Sequence, residues 1–274
     1  MILSKRAISV IRRRFRPDQW PAAFHKGLRR HGWRADFVAD WEPCDLLVLW
    51  GVHQDLIARQ QAHGGEVCIL ERGYIGNRFA WTSVSFGGEL NGRAEFRGVS
   101  DDASRFQKHF SGLMQPWRHG GDYALLIGQV PGDASLRPVH GHLDAWYAET
   151  TAALTARNIP VRFRPHPAAS QRRRLDKIRS AVLSRPGPSL ADDLAGASCV
   201  VTFNSNTGVE ASFAGVPTIA TDIGSMAYEV ASHSVAEMLR RPDRETWAAR
   251  LAWKQWRREE MASGYCWETV GGGQ

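Results

Sequence analysis

ADDLAGASCVVTFNSNTGVEASFAGVPTIATDIG, residues 191–224, decides the fold. A helix delivers the chain to an apolar strand that ends at Phe203. Residues 204–208 then form a polar turn that opens another helix near Val209, and residues 217–221 make the next strand. Strand, polar turn, helix and strand in that order describe a parallel α/β sheet with ligand-binding loops at its carboxyl edge. The turn carries hydroxyl donors at Ser205 and Thr207, and the helix start offers backbone N–H groups to an anion. A nucleotide diphosphate suits such a turn; an ordinary helix cap uses the same residue types.

The same pattern extends towards the amino terminus. Residues 123–127 and 161–163 read as strands with a helix at 142–157 between them, and residues 163–167 (FRPHP) carry Arg164 and His166 from a strand end onto the same sheet edge. Flanking prolines stiffen that loop. A guanidinium grips phosphate bidentately, and an imidazole can donate to a departing diphosphate.

A second alternating block fills the first half. Strands are expected at residues 7–11, 45–50 (DLLVLW) and 67–70, with helices on the face of Trp20, Phe24 and Leu28, ending at Gly32, and at residues 54–63. Beyond Glu71 the texture becomes rich in Gly, Ser and aromatic residues, and Asn91-Gly92 marks a tight turn. Residues 112–121, with Pro116 and Gly120-Gly121, read as a linker. The domains expected are thus residues 1–115, residues 122–243 and a last helix at 244–267 that packs back across the lobes, its Trp247, Leu251, Trp253 and Trp256 forming a packing stripe. Two α/β halves of this kind predict a ligand cleft between them.

Composition sets the remaining limits. The chain has 274 residues, 43% hydrophobic and 23% charged, an ordinary globular balance. Without a long apolar run or leader, a cytoplasmic protein with no transmembrane segment is expected. Cys44, Cys68, Cys199 and Cys266 are scattered and read as reduced core thiols. The formal charge is +7, and residues 1–40 hold ten Lys or Arg against three Asp, a surplus equal to the whole. Arg12, Arg13 and Arg14 stand at its centre and suit a polyanion, with a solvated face as the plainer reading.

LLIGQVPGD (residues 125–133), FRPHP and FNSNTGVEASFAGVPTIA (residues 203–220) together resemble the capsule-polysaccharide and Kdo-transferase-like GT-B glycosyltransferases. That resemblance implies a GT-B-like α/β fold, two Rossmann-like lobes with an interlobe cleft. It also implies donor contacts at Gln129, Arg164, His166, Asn204, Ser205, Thr207, Gly208 and Glu210. Residues 69–96 with residues 245–267 are similar to proteins of tailed-phage genomes, some of which glycosylate DNA bases. The activity so implied transfers a sugar, with UDP-glucose as one possible donor, to 5-hydroxymethylcytosine or 5-hydroxymethyluracil in duplex DNA, gripped by Arg12, Arg13, Arg14, Arg72 and Arg78. A surface-polysaccharide glycosyltransferase and a non-catalytic nucleic-acid-binding module are the alternatives. Glu71, then His53, are candidate bases, and His166 assists departure of the diphosphate. Neither a metal nor a cofactor beyond the nucleotide sugar is required.

Overall fold

Apolar runs become strands covered on both faces, and the first sheet grows from them. β1 (Arg6–Val10), β2 (Arg34–Val38), β3 (Leu46–Trp50) and β4 (Glu66–Arg72) are mutually parallel. Alternate residues of β3 and β4 face opposite sides. Leu46, Val48, Cys68 and Leu70 pack with Trp20, Phe24 and Leu28 of α1 (Gln19–Arg30), and Leu47, Leu49, Val67 and Ile69 with Leu56 and Ile57 of α2 (Gln54–His63). α2 ends at Gly64 in the left-handed conformation, φ 84°. The computed structural model describes residues 5–11, 19–167, 182–183 (backbone) and 189–271.

The stretch after Glu71 is not irregular throughout. β5 (Thr82–Phe86) pairs antiparallel with β4, and all five of its residues are buried. Its two serine hydroxyls are accommodated by neighbouring carbonyls: Ser83 Oγ donates to Glu71 O at 3.3 Å and Ser85 Oγ to Ile69 O at 3.5 Å. Asn91 opens a short 3₁₀ turn with φ 54°. α3 (Ser104–Phe110) closes this part of the chain.

In the second sheet β6 (Tyr123–Ile127), β7 (Val161–Arg164), β8 (Val182–Leu183), β9 (Ala197–Thr202) and β10 (Thr218–Ala220) are all parallel, in the order β10-β9-β6-β7-β8. α4 (Leu143–Thr155) covers one face through Tyr147 and Leu154. α5 (Leu190–Ala195) and α6 (Thr207–Phe213) cover the other through Leu194 and Ala211. A capping box at Ser189 and Asp192 fixes the start of α5.

The end of the chain departs from the single helix expected there. It forms α7 (Glu245–Trp253), β11 (Gln255–Trp256), α8 (Arg258–Ser263) and α9 (Tyr265–Gly271). β11 leaves the helical path to pair antiparallel with β5, completing the order β11-β5-β4-β3-β1-β2, and Gly264 at φ 92° separates α8 from α9. Trp247, Leu251 and Trp256 are buried, but Trp256 sits on the strand.

These elements form two compact units, Met1–Phe110 with Glu245–Gln274, and Ser111–Arg244. Residues 112–121 are therefore no loose linker but part of the second unit. Gln115 N donates to Phe213 O and Arg118 N to Gly215 O, both at 2.8 Å, and Arg244 binds Gln115 O at 2.6 Å. No helix among the described residues is long and apolar enough to cross a membrane. The four cysteines are buried and unpaired, and burial pushes the Cys44 and Cys199 thiols up to about 11, so they stay protonated and inert near neutrality.

Candidate active site

Parallel strands share one carboxyl edge, and in the second unit that edge collects most of the residues the motifs single out. β6 runs into Gln129, β7 into Arg164 and His166, β9 into the 204–208 turn, and β10 into Asp222. Gln129 and Asn204, both buried, are locked to each other. Gln129 Oε1 accepts from Asn204 N at 3.1 Å and Thr202 Oγ1 at 3.2 Å, while its Nε2 donates to Asn204 Oδ1 at 2.9 Å. Asn204 Nδ2 donates to Ser135 O at 2.7 Å and to Asp222 Oδ2 at 2.8 Å. Gln129 N donates to Tyr147 Oη at 2.7 Å. The network ties the loops after β6, β9 and β10 to one another and to α4, so these two amides shape the edge from behind. Tyr147, Ser135 and Asp222 belong to it, and no local pattern marked them.

The turn itself differs from the open amide cradle expected of it. Ser205 N donates to Thr202 Oγ1 at 2.8 Å, Thr207 N to Ser205 Oγ at 3.2 Å, and Gly208 N to Ser205 O at 3.0 Å. The amides of Val209 and Glu210 both reach Asn206 O. A tight first turn satisfies its own donors. What the turn presents is the half-buried surface of Ser205, Asn206 and Thr207, whose two hydroxyls lie 3.3 Å apart. Gly208 is buried where a Cβ would come within 3.3 Å of Ala227 Cβ and Thr202 Cγ2, so its role is close packing of α6 on the sheet. Glu210 lies exposed on the first turn of α6, beyond the Gln129–Asn204 network.

Arg164 is not a lone cation. Its Nη1 lies 2.5 Å from Oδ2 of buried Asp193, which Arg162 approaches at 3.4 Å. Arg162 also donates to Tyr123 Oη at 2.7 Å, and burial raises that phenol above its ordinary value. Two guanidinium groups thus face the carboxylate of Asp193, and the neighbouring Asp192 carboxyl is held below its ordinary value by the Ser189 hydrogen bonds first and then by Arg164. His166 follows, half-buried, two residues beyond β7. β7 and β9 flank β6, so at ~4.8 Å per strand the Arg164 and Ser205 ends stand roughly 10 Å apart. A cavity of about 220 Å³ opens nearby in the 131–144 segment, lined by Pro131, Leu136, His140 and Asp144 among others.

The first unit gathers the remaining candidates at its own carboxyl edge. Glu71 and Arg72 end β4, and Gly51 and His53 follow the adjacent β3. Gly51 N donates to Leu70 O at 2.9 Å, and Glu71 Oε1 accepts from Arg72 N at 2.8 Å. His53 is the N-cap residue of α2 but makes no side-chain cap, leaving its half-buried imidazole uncommitted to the helix. The Arg72 guanidinium lies over two rings, 5.1 Å from the Trp50 centroid and 4.7 Å from that of Phe79. Arg78 turns inward, its Nε donating to Gly73 O at 2.7 Å, so it braces the 73–81 loop. Arg12, Arg13 and Arg14 lie outside the described residues. Among the described residues no group of three or more His, Cys, Asp or Glu is gathered to hold a metal.

No family model matches the chain, and no curated protein matches it by sequence. Solved structures do match it in fold. KpsC of Thermosulfurimonas dismutans, beta Kdo 2,4 transferase, aligns at 17% identity over 89% of each chain with a TM-score of 0.58. KpsC of the same organism, beta Kdo 2,7 transferase, aligns at 14% identity over 96% of this chain and 99% of that one, with a TM-score of 0.54. The fold is GT-B-like. At such identities the likeness establishes architecture, and chemistry has to be argued from the residues.

Proposed function

We propose that this chain is a glycosyltransferase that uses a nucleotide-sugar donor, with the donor diphosphate held by the second unit and the acceptor by the first. One observation carries the reading. On a GT-B-like frame, β7 brings a guanidinium and an imidazole, and β9, two strands away across β6, brings a hydroxyl-bearing turn to the same carboxyl edge. Arg164 and His166 would meet the charge that develops on the departing diphosphate, and Ser205 and Thr207 would hydrogen-bond its oxygens. Glu71 is the favoured base for the acceptor hydroxyl and His53 the second. No cofactor beyond the donor is invoked.

For the acceptor, a surface or capsular glycan is favoured over a hydroxymethylated pyrimidine in DNA. Support comes from the likeness to KpsC, named as a Kdo transferase. The DNA reading rests on Arg12, Arg13, Arg14, Arg72 and Arg78 and on the resemblance of residues 69–96 and 245–267 to tailed-phage proteins. The deciding experiment presents a panel of nucleotide sugars, with UDP- and CMP-linked donors included, together with glycan acceptors and DNA bearing 5-hydroxymethylcytosine or 5-hydroxymethyluracil. Products are read by mass spectrometry. Transfer to a glycan, abolished in His166→Ala, is expected; transfer to DNA alone would replace the acceptor. No donor binding and no transfer at all would leave the non-catalytic alternative.

A further inference from the structure

Several of the described arginines of the first unit have a carboxylate. Arg6 binds Glu42, Arg59 binds Asp40, Arg97 binds Glu66 and Glu95, and buried Arg105 binds Glu260. Arg72 is different: among the described residues its side chain forms no ion pair, and its contacts are the faces of Trp50 and Phe79. A guanidinium held over aromatic faces by cation–π attraction can still donate its N–H groups to a ligand.

Its surroundings are built to hold that pose. Trp50 and Arg72 are the last residues of adjacent parallel strands. Phe79, although 74% exposed, rides on a braced loop. Gly73 N binds Trp81 O at 3.0 Å, and Asn77 accepts from Phe79 N at 3.1 Å and Ala80 N at 2.8 Å. Buried Gln255 accepts from Tyr74 N at 2.6 Å and Ile75 N at 3.0 Å. An exposed aromatic ring on a braced loop thus lies beside the Arg72 cation, with Glu71 immediately before it in the chain. A ring face stacks on C–H-rich sugar surface, and a guanidinium fork matches a planar or tetrahedral oxyanion.

We infer that Trp50, Arg72 and Phe79 form an acceptor subsite that recognises a sugar ring carrying an oxyanion, a carboxylate or a phosphate. Its designation as the acceptor subsite rests on the glycosyl-transfer reading above; the binding itself does not. Arg72 selects the charge, and Phe79 takes the ring.

Titration calorimetry on the full chain tests this with methyl glucuronide, glucose 6-phosphate, methyl glucoside and a single-stranded oligonucleotide. Binding of one or both anionic sugars is expected, with the tighter one naming the oxyanion, and the neutral glucoside should bind at least tenfold more weakly. Arg72→Gln should lose tenfold or more for the anionic sugar, and Arg72→Lys should restore only part because it keeps charge without the fork. Phe79→Ala, at an exposed site that leaves the fold intact, should weaken all sugar binding severalfold. Equal affinity for the neutral glucoside, unchanged affinity in Arg72→Gln, or Arg72-dependent binding of the oligonucleotide alone overturns the inference. Arg72-dependent sugar binding without transfer from any nucleotide sugar would keep the subsite and remove the glycosyl-transfer reading. Transfer that is indifferent to Arg72 would do the reverse.

Discussion

Asn204 has both amide hydrogens and its carbonyl oxygen engaged by Ser135, Asp222 and Gln129. Its replacement by alanine removes one partner from the buried Asp222 carboxylate and one from the buried Gln129 amide, which should cost about 2 kcal/mol in urea unfolding. Were the side chain a donor ligand only, affinity for the nucleotide sugar would fall with stability unchanged. Buried His25 gives a pH signature. Desolvation first, and then the nearby Arg29 charge, lower its pKa from 6.5 to about 4, while Ser9 Oγ lies 3.0 Å from Nε2. The unfolded chain therefore binds the proton more readily between those values. Stability is fully present above about pH 6.5 and is lost as pH falls towards 4, by roughly 3 kcal/mol. His25→Leu should flatten that part of the acid limb in urea titrations run at successive pH values.

At the scale of elements, α1 and α8 approach through Gly27, where an added Cβ would run into the carbonyl oxygen of Met261. Gly27→Ala should therefore cost about 3 kcal/mol, although alanine is the better helix former, because the backbone of α8 cannot yield as a side chain would. Gln255 performs a similar task for the 73–81 loop. In Gln255→Leu the amides of Tyr74 and Ile75 lose their acceptor, and their hydrogen exchange should quicken by about tenfold or more while that of β9 stays unchanged. The strands made from continuous apolar runs were legible in the sequence. β2 and β5 were not: Arg34 and Asp36 disguise the first, and the buried serines of the second are explained only by the β4 carbonyls beside them.

For the whole molecule, the first unit is discontinuous in sequence. Its core joins Trp20, Phe24 and Leu28 to Trp256, Met261, Cys266 and Trp267 from the far end of the chain. A fragment of residues 1–110 lacks that covering layer and should show no cooperative thermal transition. The same fragment linked directly to residues 245–274 should regain one, as should residues 111–244 alone. Cooperative unfolding of the bare amino-terminal fragment would count against this division of the core.

The α/β alternation built from continuous apolar runs and the residue types at the strand ends were determined by the sequence alone, because hydrophobic runs and turn chemistry are local properties, and the motif resemblance pointed to the GT-B-like class. Only the tertiary structure decided how those residues are engaged. Gln129 with Asn204, Arg164 with Asp193, and Arg72 with Trp50 and Phe79 are pairings set by strand order and packing. Whether an amide or guanidinium faces a ligand or its own protein depends on partners remote in the chain, which no local pattern encodes.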